Sequence, residues 1–135
     1  MKKMMLPAGA MLAFLGVAAG AFGAHVLKDH LSNEMLEVFE TAVRYQMYHA
    51  IALVLSGILA IIRYHNRFVL IGWLFISGVI LFSGSLYVLS LTGIKAFGII
   101  TPFGGVAFLA GWAFLAFYGI KNNSVFNQVN KTNTD

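Results

Sequence analysis

Between Tyr45 and Ile62 the chain reads YQMYHAIALVLSGILAII, a stretch with no acidic or strongly basic side chain. A helix needs about 20 predominantly apolar residues to cross the hydrocarbon core of a bilayer. Three further uncharged runs surround this one: Met4 to Leu27, Phe68 to Ile94 and Ala96 to Ile120. Each supports one span. Together they predict an all-α membrane protein with four transmembrane helices packed as a small bundle, over about 5–26, 45–63, 68–91 and 102–120. Four spans leave no room for a second domain in 1–121, and the Asn-rich, polar stretch 122–135 is expected to be a disordered cytoplasmic tail.

Composition excludes the alternatives. Of 135 residues, 59% are hydrophobic and 10% charged, with a mean hydropathy of +0.81. A soluble domain carries about a quarter charged residues, and one this small cannot bury so much apolar surface. The absence of cysteine removes a disulfide scaffold. The formal charge of +4 does not point to nucleic acid, because the bases are singles and pairs between apolar runs rather than a basic face. The bilayer is the expected partner. Lys2-Lys3 followed by an apolar run imitates a signal peptide, but a signal core is roughly 7–15 residues, so a retained first helix is expected.

Lys and Arg at segment ends orient a membrane protein. Lys2, Lys3, Arg63, Arg67, Lys121 and Lys131 fall on one side, and Lys28, Arg44 and Lys95 on the other. The richer side belongs in the cytoplasm, which gives an N-in/C-in topology. Tyr45, Tyr48 and Tyr87 near the outer boundary, with Tyr64 and Tyr118 near the inner one, suit interfacial belts.

Asp29, Glu34, Glu37 and Glu40 all lie between the first two spans. Ser32 or Asn33 can cap a helix there, and the early glutamates favour its positive end. Leu36, Phe39, Val43, Met47, Ala50 and Val54 recur at three- and four-residue steps across the boundary. One helix is therefore expected from about Asn33 to Ile62, with an outer amphipathic extension over 33–44. Glu40 and Arg44 are spaced for an i,i+4 ion pair worth a few tenths of a kcal/mol. The sharper alternative puts Arg44 and His49 at the membrane boundary, facing polar groups of neighbouring helices. Thr101-Pro102 marks the start of the fourth span, which leaves Ile94 to Ile100 as an outer loop or shallow re-entrant turn.

Small residues allow close helix approach where lipid gives no hydrophobic drive. Gly16, Gly20 and Gly23 in the first span, Gly84 in the third, and Gly104 and Gly105 in the fourth are the expected packing positions. Packing within one chain, a homo-oligomer and an unidentified membrane partner all stay open.

The chain has no Gly-x-Ser-x-Gly, Walker loop or His-Glu-x-x-His. No acidic or basic side chain is expected at mid-span, which disfavours proton-coupled transport. His25, His30 and His49, with Glu37 or Glu40, could be offered as metal ligands, but their spacing matches no compact motif. No metal, cofactor or catalytic residue is expected.

Four strings occur in order: Gly20-Ala21-Phe22-Gly23-Ala24-His25, Phe39-Glu40-Thr41-Ala42-Val43-Arg44-Tyr45-Gln46-Met47-Tyr48-His49-Ala50, Leu81-Phe82-Ser83-Gly84-Ser85-Leu86-Tyr87 and Ile100-Thr101-Pro102-Phe103-Gly104-Gly105. Over about Met1 to Lys121 the chain resembles the bacterial domain-of-unknown-function family four-two-three, an uncharacterised UPF family of inner-membrane proteins. The resemblance implies a multi-pass protein of the bacterial plasma membrane and no established activity. It singles out His25, Glu40, Thr41, Arg44, Tyr45, Gln46, His49, Ser83, Ser85, Tyr87 and Thr101, besides Phe22 and Pro102. Polar groups within a bilayer must find partners, so these are expected to form a network at the outer helix ends. A non-enzymatic structural or accessory protein is the preferred reading. The alternative is a small-molecule or lipid-binding module, or minor carrier, with an outward-facing pocket lined by His25, Glu40, Arg44, Gln46, His49 and Tyr87.

Overall fold

The computed structural model describes residues 2–62 and 67–121. Arg63, Tyr64 and the tail expected over 122–135 lie outside the described residues. Helix α1 (Lys2–His25) leads through a 3-10 turn (Leu27–Asp29) into α2 (Asn33–Ile62). Helix α3 (Arg67–Gly78) continues through a π-helical turn (Val79–Ser83) into α4 (Gly84–Thr92). A 3-10 segment (Lys95–Ile99) then leads to α5 (Thr101–Lys121). All of these elements are helical, and four of the resulting helices are long and apolar enough to cross a membrane: Lys3–Asp29, Asn33–Ile62, Arg67–Thr92 and Lys95–Tyr118.

Local chemistry explains the boundaries. Ser32 Oγ accepts the Met35 amide at 3.3 Å and caps α2. The unbroken 30-residue helix that follows is the one predicted from its apolar spacing. Helix α4 stops at Gly93, whose φ of +72° is the left-handed conformation that glycine adopts without steric cost, and whose amide bonds the Leu89 carbonyl at 2.8 Å. The segment expected as a loop or re-entrant turn before Thr101 is a 3-10 segment, with Gly98 close to the Leu89 side chain.

The packing is asymmetric. Helix α2 is the hub, with α1 along one side and α3–α4 along another, while α5 lies on α3 and the π turn. Leu53, Ile71 and Phe75 are fully buried at the centre, with Met5, Phe68, Val79 and Phe108 around them. The outward faces of α1 and α5 carry large apolar side chains such as Phe14 and Leu109, which suit a hydrocarbon environment. The π turn holds one residue more than an α turn, with the Gly84 amide bonded to the Val79 carbonyl. It rotates the phase of α4 by about 100° relative to α3, and Ser85 and Ser90 are buried on the α4 side of it.

Candidate functional site

Gln46 is buried on α2 and joins three helices. Its Nε2 donates to the Leu12 carbonyl of α1 at 2.8 Å, and its Oε1 accepts the Tyr87 hydroxyl of α4 at 2.9 Å. The amide does both because it carries a donor and an acceptor on one planar group.

His49, one turn further along α2, is also buried. The Trp112 indole of α5, a donor only, gives its Nε1–H to His49 Nε2 at 3.1 Å. That leaves the imidazole proton on Nδ1, where it bonds the Tyr45 carbonyl at 2.7 Å. The ring is neutral with its tautomer fixed from both sides. Phe108 lies flat against it, with ring centroids 3.3 Å apart and planes at 6°. Phe75 and Tyr45 flank it at 5.6 and 6.1 Å.

A third link joins α4 to α5. Ser85 Oγ donates to the Phe82 carbonyl at 2.9 Å and meets Thr101 Oγ1 at 2.9 Å, so the threonine hydroxyl is the donor in that pair. Ser83 Oγ is fully buried in the π turn with no hydrogen-bond partner among the described residues.

The polar residues singled out in the sequence therefore divide. Gln46, His49, Ser85, Tyr87 and Thr101 bond across helices. Thr41 bonds the Glu37 carbonyl of its own helix at 2.8 Å, and Tyr45 places its ring over Phe82 at 4.4 Å. His25, Glu40 and Arg44 are exposed, and the Glu40–Arg44 ion pair is not formed. Of the six residues expected to line a pocket, Tyr87 borders an open groove with Leu15, Phe22, Phe39 and Leu91. Among the described residues, no group of three or more His, Cys, Asp or Glu is placed to hold a metal ion.

The depth expected for His49 is corrected. His49 stands just past the middle of the 30-residue α2, and its partner Trp112 is at the middle of the 21-residue α5. Gln46 bonds a carbonyl near the middle of the 24-residue α1. The cause is the register of α1 on α2: Gly23 faces Phe39, Gly20 faces Val43 and Gly9 faces Val54. Residues near the middle of α1 therefore lie level with Gln46 and His49, so these two side chains are placed among the middles of α1 and α5 rather than at their ends.

The expected packing glycines divide as well. A Cβ at Gly16 would lie 2.7 Å from Met47 Sδ, at Gly20 3.3 Å from Val43, and at Gly23 2.9 Å from the Phe39 ring. At Gly104 it would strike the Phe82 backbone. Gly84 and Gly105 are roomier, with nothing nearer than 3.9 and 4.0 Å. Sequence reasoning missed Trp112, Phe75 and Phe108. Trp112 carried a signal: an indole N–H in an apolar span needs an acceptor, and His49 offers one.

These features define a multi-pass all-α membrane protein with hydrogen bonds and ring stacks joining its helices. The family described as "Protein of unknown function (DUF423)" matches residues 19–105. A UPF0382 membrane protein of Staphylococcus aureus (strain bovine RF122 / ET3-1) is 47% identical over 84% of this chain and 92% of its own. The UPF0382 membrane protein YwdK of Bacillus subtilis is 42% identical over 88% and 98%. The chain belongs to this family of uncharacterised membrane proteins. No solved structure matches it.

Proposed function

We propose that this protein is a non-catalytic structural or accessory protein of the bacterial plasma membrane, with both termini in the cytoplasm. Its buried polar side chains act as helix-to-helix fasteners rather than as a reactive site. The observation that carries this reading is Gln46, whose amide is occupied on both sides by Leu12 and Tyr87. These bonds use one of its two N–H donors and one of its two lone pairs, and burial between the helices closes the remainder to a solute. His49 is likewise engaged at both ring nitrogens. The names of the relatives support the membrane setting and carry no enzymatic term.

The test is thermal unfolding in mild detergent. Gln46→Leu keeps the volume and removes both bonds, each worth about 0.6–2 kcal/mol between membrane helices, so its melting temperature should fall below that of Tyr87→Phe, which removes one. A panel of small polar solutes should leave the parent unchanged. A solute that raises the melting temperature of the parent, and not of a folded Gln46→Leu protein, overturns the reading in favour of a binding module.

A further inference from the structure

We propose a binding site for an anionic phospholipid in the cleft between the first turns of α1 and the start of α3. Because α1 packs chiefly on α2, it leaves a gap beside α3. This gap is a cavity of about 340 Å³ bordered by Met4, Pro7 and Ala8 on one side and Val69, Trp73 and Ile76 on the other. Its size is in the range of small-ligand sites, which begin at about 300 Å³. Met5 closes the floor, its methyl group pressed on Gly72 of α3.

Shape selects the occupant. Val69 to Ile76 covers about 10 Å along the helix axis. A partner helix about 10 Å across would fill more than twice the cavity over that length, whereas a single acyl chain is slim enough to lie in it. The walls are built from apolar side chains, with the Trp73 indole N–H as the polar side-chain group among them, which suits an acyl chain.

Charge selects the headgroup. Lys3 is exposed and has no partner among the described residues. By helix periodicity it stands one turn before Pro7 on the same face, between the residues that border the cleft and the end of the helix. Arg67 shares this end of the bundle but lies over the Tyr118 ring, 5.0 Å from its centroid. Every carboxylate among the described residues, Asp29, Glu34, Glu37 and Glu40, is at or near the opposite end. A phosphate at the mouth therefore meets positive charge and no local repulsion. Each basic residue near a membrane surface favours an anionic lipid by about fivefold.

Trp73 borders the cleft and is half exposed, so it reports the occupant directly. The full chain is reconstituted in phosphatidylcholine vesicles, and bromine-labelled phosphatidylglycerol or phosphatidylcholine of matched chains is titrated in. Fluorescence lost from the parent and absent from Trp73→Phe isolates this tryptophan from Trp112. Phosphatidylglycerol should quench Trp73 at about fivefold lower mole fraction than phosphatidylcholine. Lys3→Gln should erase that preference while leaving quenching by phosphatidylcholine in place, which also shows that the variant is folded. Ala8→Leu, which narrows the cleft, should weaken quenching by both lipids. Equal quenching by the two lipids in the parent overturns the proposal, and so does a preference that persists undiminished in Lys3→Gln.

Discussion

Trp112 of α5 donates its indole N–H to His49 Nε2 of α2 at 3.1 Å, across a separation of 63 residues in sequence. The two helices meet chiefly through these and neighbouring rings rather than through close backbone contact. The bond thus fixes how α5 sits on the hub, and the Phe108 stack beside it supplies the contact area.

Replacing Trp112 by Phe keeps an aromatic ring against Phe75 and His49 but removes the donor. His49 Nε2 is then left without its partner near the middle of the bundle. A loss of about 0.6–2 kcal/mol is expected, read as a lower melting temperature in detergent. Trp73→Phe is the control: Trp73 makes no described hydrogen bond, so it should melt within error of the parent.

The glycines of α5 make a sharper contrast than their sequence pattern allows. Gly104 faces the Phe82 backbone, which cannot move aside without shifting the helix, whereas Gly105 has ordinary clearance. Gly104→Ala should destabilise by about 1–3 kcal/mol, as overpacking does. Gly105→Ala should be neutral or slightly stabilising, because alanine favours the helix by up to about 1 kcal/mol. Parallel thermal melts of the two variants check both signs.

Much of the fold was legible because its signals are local. The charge-free runs gave the four spans, and the apolar period from Leu36 to Val54 gave α2 as one helix with ends at Asn33 and Ile62. The site was less legible, because its geometry depends on register between helices, which sequence spacing does not encode. Gln46 and His49 could be named as polar and in need of partners. That Gln46 bonds a carbonyl of α1, or that His49 lies at mid-bundle, follows only from the glycine contacts that set α1 against α2. The π turn was hidden for a related reason: it shifts the buried face of α4 without leaving a mark such as proline.

The topology argued from charge has its own check. Lys2, Lys3, Arg67 and Lys121 share one end of the bundle, and Lys28 and Lys95 belong to the other. With the richer end in the cytoplasm, a fluorescent protein fused after Asp135 should mature. Alkaline phosphatase at the same position should be inactive, and become active when inserted at Gly98 between α4 and α5. Active phosphatase at the C-terminus would reverse the orientation and leave the helix contacts untouched.

Ser83 presents the opposite case to Gln46. Its hydroxyl is fully buried beside a π turn and finds no partner among the described residues. An unsatisfied buried hydroxyl costs about 1–3 kcal/mol, so removing it should relieve a penalty rather than break a contact. Ser83→Ala deletes one oxygen and leaves little void, and its melting temperature in detergent should equal or exceed the parent's, by up to about 1 kcal/mol in stability. Ser85→Ala, two residues further on, should move the other way. It removes the acceptor for Thr101 and the donor to Phe82 together, and that link joins α4 to α5. A clear loss of stability in Ser83→Ala would mean that its hydroxyl is satisfied in the bilayer, and would turn the π turn into a polar contact point rather than a change of helix phase.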